Sequence, residues 1–362
     1  MTAHERASGA PSREVLIVSL GSTPGLRAAD EELRAALERA GASATVVSAR
    51  KPRPMRTLML TDLAWARAAR AAAESALASL GRSRPPSVIY SSTTAALLWP
   101  VAGAIRFDSP AAANRPGRHG LWQRPLERRR IREAPLLLPW SERSLAGLPG
   151  DAVRDGRALV VPVPIEASSP GASGVEGSAR DIAAFTYAAN PRKKGLDRVL
   201  AAWRRARSEV PALAHAELVV AGAHERELRS SGVLVTREEG VRFAGALAPG
   251  EFRALLRRAR VFVCAPRRED YGLAQLEALA DGCMLVTTPA PGPYAALPIA
   301  RELDPRLVTD ELAGALRAAF EAPLADYVAR AREALAPFSC AAVDGVVARE
   351  LMPRLTDGAR LA

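Results

Sequence analysis

Cysteine, histidine, lysine and aromatic residues are scarce in this sequence, and their scarcity excludes several classes of protein. The three cysteines, Cys264, Cys283 and Cys340, lie far apart and form no Cys-x-x-Cys pair. Because there is also no Cys/His ligand spacing and no Asp-x-Asp pair, we expect neither a metal site nor a disulfide framework, and a reducing cytoplasm fits. The N-terminal residues lack the apolar core of a signal peptide.

One uncharged stretch, residues 85–105, is long enough to span a bilayer. It contains several serines and threonines, together with an internal Pro100 and Gly103. A strand over 87–91, a short helix over 94–99 and a strand over 103–107 explain this composition better. We therefore expect no transmembrane segment here.

The formal net charge is +11, and only three of the 50 Lys and Arg residues are lysine, namely Lys51, Lys193 and Lys194. Because lysine is a compact point charge, the two adjacent lysines before Gly195 are candidate anion ligands. The positive excess is compatible with a diphosphate ligand, an anionic membrane surface or nucleic acid. A solvated arginine-rich surface explains it equally well.

At 362 residues the chain exceeds one hydrophobic core, and its pattern predicts an α/β protein with two Rossmann-like domains. We predict a disordered segment over 1–13, a first domain over 14–165, a Gly/Ser-rich linker over 166–180 and a second domain over 181–340. Short apolar runs predict strands over 14–20, 44–49, 87–91, 103–107, 135–138, 158–163, 182–188, 216–221, 241–244, 261–265 and 284–288. Amphipathic spacing predicts helices over 196–208, 251–260 and 342–355.

The most informative segment runs from Glu269 to Glu277. The apolar run before it predicts a buried strand, and the residues after Gly272 have helical composition. Glu269 is therefore expected in the loop at the carboxyl end of a strand, and Glu277 in the following helix. Ligands of open α/β sheets bind at that edge, where a helix start suits a phosphate and carboxylates accept hydrogen bonds from sugar hydroxyls. This combination indicates a sugar nucleotide.

The Glu-x7-Glu spacing, with a glycine inside it and Glu-Ala-Leu-Ala-Asp-Gly after it, resembles the donor-site motif of retaining GT-B glycosyltransferases, closest to glycosyltransferase family 4. The resemblance covers the second half of the chain well and the first half in outline. It implies two Rossmann-like domains facing each other across a cleft, with a C-terminal helix, 341–362, crossing back to the first domain. It also implies a nucleoside diphosphate sugar as donor substrate, with no metal or other cofactor.

The same resemblance implies two catalytic residues in the second domain. Lys194, followed by Gly195, matches the Lys-Gly pair that binds the donor diphosphate and stabilises the departing phosphate. Glu269 would contact hydroxyls of the transferred sugar. The family's phosphate-binding arginine falls at Ala189, so the sequence departs from the pattern there, and Asn190, Arg192 and Lys193 are candidates to replace it.

Four further residues are implied to bind the donor. Glu277 would accept hydrogen bonds from the ribose diol, and Gly272 and Leu273 would donate backbone N–H groups to the phosphate. Tyr271 would line the pocket. The glutamate that follows a later glycine-rich loop in the family is absent after Pro291-Gly292.

Candidates in the first domain are fewer. The turn at Gly21 faces the cleft in the related enzymes, and a plain tight turn is the alternative. Asp108, at the end of the strand over 103–107, is the best candidate for a polar catalytic residue, with a structural helix cap as the alternative. His119 is a weaker candidate.

An arginine-rich stretch, 115–132, carries interleaved apolar residues. Two interpretations remain open, namely peripheral contact with an anionic membrane and a solvated arginine loop. Nucleic-acid binding is less favoured, because no recognised module accompanies the stretch.

These observations predict a cytoplasmic glycosyltransferase that uses a nucleotide-sugar donor and a sugar, a lipid-linked or a small-molecule acceptor. The main alternative is a catalytically degenerate sugar-nucleotide-binding protein of the same fold, which the two departures from the family pattern motivate. A sugar-nucleotide epimerase would need an acid/base pair, for which the chain offers few histidines.

Overall fold

The structure is a computed structural model, and it describes residues 13–53, 55–80, 85–111, 115, 117–148, 150–151, 156–168, 180–224 and 240–357. The chain divides into two compact units. Unit 1 comprises Met1–Pro164 and Cys340–Ala362, and unit 2 comprises Ile165–Ser339. Residues 1–12 of the predicted disordered segment and residues 169–179 of the predicted linker lie outside the described residues.

Unit 1 contains five strands, β1 (Glu14–Ser19), β2 (Ser43–Ser48), β3 (Ser87–Tyr90), β4 (Ala104–Phe107) and β5 (Leu137–Pro139). They form a parallel sheet in the order β2-β1-β3-β4-β5. Its described helices are α1 (Pro24–Arg39), α2 (Leu58–Ser79), α3 (Thr93–Ala96), α4 (Gln123–Glu133) and α5 (Glu142–Leu145). The C-terminal helix follows unit 2 in the chain and consists of Cys340–Val346, a π-helical stretch Val347–Leu351, and Met352–Asp357.

Strand β1 shows why the sheet of unit 1 is buried on both faces. Successive side chains of a strand point to opposite faces. Val15 and Ile17 pack with α1 and the C-terminal helix, whereas Leu16 and Val18 pack with α2 and α4. A strand covered on both sides needs apolar residues at every position, which accounts for the unbroken Val-Leu-Ile-Val run.

Unit 2 also contains five strands, β6 (Ile182–Tyr187), β7 (Leu218–Ala221), β8 (Val241–Gly245), β9 (Ala259–Cys264) and β10 (Met284–Thr287). They form a parallel sheet in the order β10-β9-β6-β7-β8. Its described helices are α6 (Leu196–Glu209), α7 (Pro249–Arg258), α8 (Leu273–Ala280), α9 (Ala296–Leu303), α10 (Leu312–Glu321) and α11 (Tyr327–Ala334).

Each sheet has one point at which the strand order reverses. In unit 2 the chain continues from β6 to β7 on one side and later returns to β9 on the other side. In unit 1 the same reversal lies between β1 and β3. The loops that leave two such strands diverge at their carboxyl ends, and the crevice between them is the usual ligand site of an open α/β sheet.

The structure contradicts the strand predicted over 158–163. Only Ala158 forms an isolated bridge, with Leu137, and the segment then runs beside β5 in an extended conformation. The N–H groups of Leu159 and Val161 donate to the carbonyls of Leu137 and Pro139. Proline has no N–H group, so Pro162 and Pro164 cannot contribute donors to a regular ladder.

The arginine-rich stretch is helical rather than a loop. It contains a 3-10 turn, Gly117–Gly120, followed by α4. Arginine, leucine and glutamate are good helix formers, and Pro125 is tolerated because it lies in the first turn, where no N–H partner is lost. The uncharged stretch 85–105 folds into β3, α3 and the start of β4. Within the described residues, no helix is both long and apolar enough to cross a membrane.

Candidate functional site

Two loops meet at the reversal point of unit 2, one after β6 and one after β9. Gly195, at the start of α6, has a φ of +63°, and a Cβ atom there would lie 1.9 Å from the carbonyl oxygen of Ala265. Glycine is therefore required for the loops to pass this closely. The N–H of Arg267 also donates to the carbonyl of Lys193 at 3.0 Å. The two loops thus pack backbone against backbone.

This packing places two lysines beside two carboxylates. The Nζ atom of Lys194 lies 2.6 Å from Oε2 of Glu269, and Nζ of Lys193 lies 2.9 Å from Oδ2 of Asp270. The side chains of Lys194 and Glu269 are only 20% and 6% exposed. Gln275, on α8, donates from Nε2 to the same Glu269 oxygen at 3.1 Å. The structure thus brings the two candidate catalytic residues of unit 2 into direct contact.

The neighbouring pair, Lys193 and Asp270, remains ionised because two cations surround the carboxylate. Burial by itself raises the pKa of Asp270, but the charges and hydrogen bonds of Lys193 and Arg268 outweigh that effect. The pKa of Asp270 therefore lies below its usual value. Arg268 donates from Nε to Oδ1 of Asp270 at 2.9 Å, so this carboxylate is shared between two cations.

A third loop, residues 288–294, fixes the backbone of Glu269. The N–H of Glu269 donates to the carbonyl of Pro291 at 3.0 Å, and the N–H of Tyr294 donates to the carbonyl of Glu269 at 3.4 Å. Gly292 has a φ of +119°, and a Cβ atom there would lie 2.1 Å from the carbonyl oxygen of Glu269. The buried hydroxyl of Tyr294 lies 2.9 Å from Oγ1 of Thr287, which anchors this loop to β10. Glu269 is consequently held in one position.

The start of α8 lies in the same crevice. Gly272 precedes the helix with a φ of +94°, Leu273 is its first residue, and no side chain caps it. Uncapped N–H groups at a helix start, together with the positive end of the helix dipole, favour an anion. Tyr271 is buried, and its carbonyl accepts a hydrogen bond from the N–H of Ala295 at 2.9 Å. This bond ties the loop after β9 to the start of α9.

Asn190 shapes the turn that carries the lysines. Its carbonyl accepts from the N–H of Lys194 and its Oδ1 accepts from the N–H of Lys193, both at 2.9 Å. The exposed side chain of Asn190 is thus engaged in ordering the loop. Arg192 and Ala189 are also exposed.

Glu277 has a different set of neighbours from Glu269. Nη1 of Arg253 lies 3.7 Å from Oε1 of Glu277, and the same arginine binds Asp281 at 2.6 Å. Burial raises the pKa of Glu277 to about 7, while Arg253 opposes and Asp281 adds to the shift. Burial also raises the pKa of Tyr187, and the nearby Glu277 contributes. Glu277 therefore lies near Tyr187, at the end of β6.

A pocket of about 290 Å³ lies at the reversal point of unit 1. The loops after β1, β3 and β4 and one side of α2 contribute its lining, which comprises Leu20, Ser22, Leu26, Leu58, Thr61, Asp62, Trp65, Ser91, Ser92, Thr93, Thr94, Asp108, Ser109, Ala111 and Arg115. Hydroxyls, the Asp108 carboxylate, one partly exposed tryptophan ring and several leucines thus surround the space, together with an ion pair of Asp62 and Arg115. Such a lining suits a polyol, because hydroxyls and carboxylates bind its hydroxyl groups and an aromatic ring packs on its C–H face.

The three candidate residues of the first domain, Asp108, Gly21 and His119, lie at different distances from this pocket. Asp108 lines it directly. Gly21, with a φ of +56°, lies between two lining residues, and its N–H donates to Oγ of Ser19 at 3.0 Å. Ser19 in turn donates to the buried Asp30, so the turn is anchored in the core. His119 is exposed in the 3-10 turn and does not belong to the lining.

Several site residues escaped the sequence analysis. Asp270 could have been found, because it directly adjoins the predicted Glu269, whereas Lys193 was already among the candidate anion ligands. Gln275 and Arg253 carry no distinguishing local pattern. The α2 residues of the pocket lie on a helix that the sequence analysis did not predict. Within the described part of the chain, no group of three or more His, Cys, Asp or Glu residues is arranged to hold a metal ion.

Comparisons with known proteins agree with this architecture. The family model for glycosyl transferases group 1 matches residues 180–326, which lie in unit 2. No curated protein sequence matches the chain. The predicted resemblance to this family is therefore confirmed in the unit that holds the two glutamates.

The solved structures that are similar along nearly the whole chain include the following three. One is an alpha,alpha-trehalose-phosphate synthase (UDP-forming) from Burkholderia xenovorans in complex with glucose-6-phosphate, with 15% identity, a TM-score of 0.65, and coverage of 95% of this chain and 100% of that one. Another is WaaG, a glycosyltransferase involved in lipopolysaccharide biosynthesis, with 14% identity, a TM-score of 0.60 and coverage of 96% and 99%. The third is a trehalose-6-phosphate synthase studied for glycosyl transfer with retention, with 16% identity, a TM-score of 0.63 and coverage of 96% and 99%. The predicted GT-B fold class is confirmed.

Proposed function

We propose that the protein is a glycosyltransferase that moves a sugar from a nucleoside diphosphate sugar to an acceptor hydroxyl. The contact between Lys194 and Glu269, beside the uncapped start of α8, carries this proposal. It joins a cation for the diphosphate and a carboxylate for the sugar within the region that matches the glycosyltransferase family.

In the proposed donor complex, the diphosphate lies at the N–H groups of Gly272 and Leu273. Lys194 exchanges its contact with Glu269 for the β-phosphate, and Glu269 then accepts hydrogen bonds from hydroxyls of the transferred sugar. Glu277 accepts hydrogen bonds from the ribose diol. Because an ammonium and a carboxylate neutralise each other before the donor arrives, neither charge is left isolated in the partly buried crevice.

The proposed reaction proceeds with retention and without a metal ion. The bond between the anomeric carbon and the β-phosphate oxygen breaks, and the acceptor oxygen bonds to that carbon on the same face. The acceptor proton passes to the departing phosphate oxygen, so nucleoside diphosphate and glycoside are the products. Lys194 stabilises the negative charge that grows on the leaving group. The similar synthase studied for transfer with retention supports this course.

We assign the acceptor to the pocket of unit 1, where Asp108 accepts a hydrogen bond from an acceptor hydroxyl. Lys193, held by Asp270, supplies the second cation that the family places at the position of Ala189. The similar UDP-forming synthase makes uridine diphosphate the first nucleotide to test.

The first experiment measures thermal unfolding with UDP, GDP, ADP and their sugars, because a ligand of the native state raises the melting temperature. The donor identified in this way is then used in turnover assays of the wild type and of Lys194→Ala and Glu269→Gln. We expect turnover to fall by roughly 10²- to 10³-fold in each variant, the size seen when one transition-state contact is removed. Arg70→Ala, which removes an exposed cation of unit 1 outside the pocket lining, serves as the control and should leave turnover unchanged.

Removing Lys194 alone leaves Glu269 without its cation, so the double variant Lys194→Met/Glu269→Gln tests whether a loss of turnover reflects folding. It should melt near the wild-type temperature and remain inactive. Nucleotide-dependent stabilisation without turnover of any donor would instead identify a sugar-nucleotide-binding protein. Wild-type turnover in Lys194→Ala would contradict the assigned role.

A further inference from the structure

Large apolar side chains are exposed at one place on unit 1 more than elsewhere. Among the described residues, four of the six exposed large hydrophobics lie there, namely Met55 (44% exposed), Leu58 (41%), Leu60 (48%) and Leu121 (62%). Together with the cations Lys51, Arg53, Arg56 and Arg118, these residues are named the basic apolar surface. Exposed leucines grouped in this way mark an interaction surface.

Specific contacts bring the two segments of this surface together. Asp62, in the first turns of α2, accepts hydrogen bonds from Arg115 at 2.7 Å and from Gln123. The residues between these two partners include Arg118 and Leu121, so they are held beside the start of α2. Leu58 and Arg115 also line the same pocket. The basic apolar surface therefore borders the pocket of unit 1.

The charge of this surface is not compensated locally. The sequence contains no aspartate or glutamate over 40–61 or over 109–126. The four cations form no ion pair with any residue that the structure describes, whereas surface arginines such as Arg34, Arg70 and Arg129 pair with a carboxylate three or four residues away. A patch of unpaired positive charge around exposed leucines is complementary to a surface that is both anionic and apolar.

We infer that unit 1 docks on an anionic lipid bilayer through the basic apolar surface. The leucines and Met55 enter the boundary between headgroups and acyl chains, and the lysine and arginine side chains meet the negative headgroups. Nucleic acid would satisfy the cations but leave the exposed leucines in water. This inference goes beyond the proposed transfer activity and does not depend on it.

Docking in this orientation has a consequence for the pocket. Leu58 belongs both to the surface and to the pocket lining, so the pocket opens at headgroup height. If the proposed function holds, the acceptor is the polar head of a lipid carried by the same bilayer.

The test measures flotation of the full-length protein with two kinds of large vesicle. One contains about a third phosphatidylglycerol in phosphatidylcholine, the composition class that polybasic surfaces recognise, and the other contains phosphatidylcholine alone. We expect binding to the anionic vesicles only, weakened by salt because the headgroup contacts are screened. Leu60→Glu/Leu121→Glu should reduce the partition coefficient by roughly tenfold or more.

A matched control keeps the result interpretable. Leu324→Glu introduces the same change at an exposed leucine of unit 2 and should bind vesicles like the wild type. Arg56→Gln/Arg118→Gln should lose much of the salt-dependent part of binding while melting at the wild-type temperature. Neither Leu60 and Leu121 nor Arg56 and Arg118 line the pocket. Both double variants should therefore retain turnover on a water-soluble acceptor.

Three outcomes would overturn the inference. One is equal binding to neutral and anionic vesicles, and another is no binding to either. The third is vesicle binding that survives Leu60→Glu/Leu121→Glu while duplex DNA displaces the vesicles, which would assign the surface to nucleic acid.

Discussion

The pair formed by Lys194 and Glu269 solves an electrostatic problem at the residue scale. A carboxylate that is only 6% exposed is costly to bury alone, and an ammonium group 2.6 Å away removes much of that cost. Because Gln275 also donates to Glu269, the carboxylate keeps one hydrogen-bond partner when Lys194 turns to a ligand. In the proposed donor complex, this arrangement would let the site exchange its internal ion pair for a charged substrate.

Glu277 provides a prediction at the same scale, for stability against pH. Its pKa is about 7 in the folded protein, above the ordinary value of 4.5, so the folded state keeps a proton that the unfolded state releases. Folding stability therefore declines as pH rises from about 4.5 to about 7. Glu277→Gln should remove this decline and, at pH 8, stabilise the protein by on the order of 1 kcal/mol, or a few degrees in melting temperature.

Melting curves of the wild type and Glu277→Gln from pH 4.5 to pH 8 check this prediction. Arg253 keeps Asp281 as a partner in the variant, so no unpaired cation complicates the comparison. Leu324→Gln serves as the control, because it changes an exposed residue of the same unit without removing an ionisable group and should leave the pH dependence of melting unchanged. A difference in melting temperature between wild type and Glu277→Gln that stayed constant across this pH range would contradict the raised pKa of Glu277.

At the scale of the element, the site depends on glycines that let loops touch. Gly195→Ala should be strongly destabilising, by roughly 2 kcal/mol or more, because the residue is left-handed and its new Cβ would collide with the Ala265 carbonyl. Since the same contact holds Lys194 near Glu269, nucleotide affinity should fall as well. Urea unfolding and nucleotide titration measure the two effects.

Substitutions at two other glycines separate the cost of the left-handed backbone from the cost of the steric clash. Gly41→Ala has an unfavourable φ of +89° but open space around the new Cβ, so it should show the backbone strain alone. Gly250→Ala has neither problem and should be close to neutral. If Gly195→Ala were no worse than Gly41→Ala, close packing of the two loops would not be the reason for the glycine.

The strands could be predicted from the sequence more fully than the helices. Parallel strands buried on both faces are continuous apolar runs, so β1, β6 and β9 are visible within one or two residues of their observed bounds. Helices α2, α9, α10 and α11 were not predicted, because abundant alanine supports a helix without marking a clear apolar face.

The candidate site could likewise be predicted only in part from the sequence. Lys194 and Glu269 follow predicted strands, and strand order alone brings their loops to one edge. The close packing of Gly292 against the Glu269 carbonyl and the ion pair of Asp62 with Arg115 both join segments that are distant in sequence. No local sequence pattern encodes such contacts. The strand predicted over 158–163 is wrong because a continuous apolar run marks buried chain, whereas a regular ladder also needs the N–H donors that Pro162 and Pro164 lack.

At the scale of the whole molecule, each of the two units repeats one arrangement. Each places a reversal of strand order beside polar side chains, with two lysines and their carboxylates in unit 2, and mainly hydroxyls with one Asp62–Arg115 ion pair in unit 1. In the proposed reaction this difference would favour the charged donor in unit 2 and a polyol in unit 1, because two lysines attract the diphosphate and hydroxyl groups bind a sugar.

The proposed chemistry makes a prediction for the intact enzyme. Turnover should be unchanged, within about twofold, by excess EDTA, since lysine and helix N–H groups replace a metal ion at the leaving phosphate. The product should carry the anomeric configuration of the donor. Proton NMR of the product reads that configuration directly. An inverted product, or activity that returns only on adding a divalent ion, would contradict the proposed course.

The scarcity of lysine has a practical consequence. A reagent that acylates primary amines finds three side chains in the whole protein, and two of them, Lys193 and Lys194, are salt-bridged in the crevice of unit 2. The third, Lys51, is exposed and belongs to the other unit, so it supplies an internal reference. Peptide mass spectrometry after brief acylation can therefore report occupancy of the crevice without a dye, a tag or an engineered reporter.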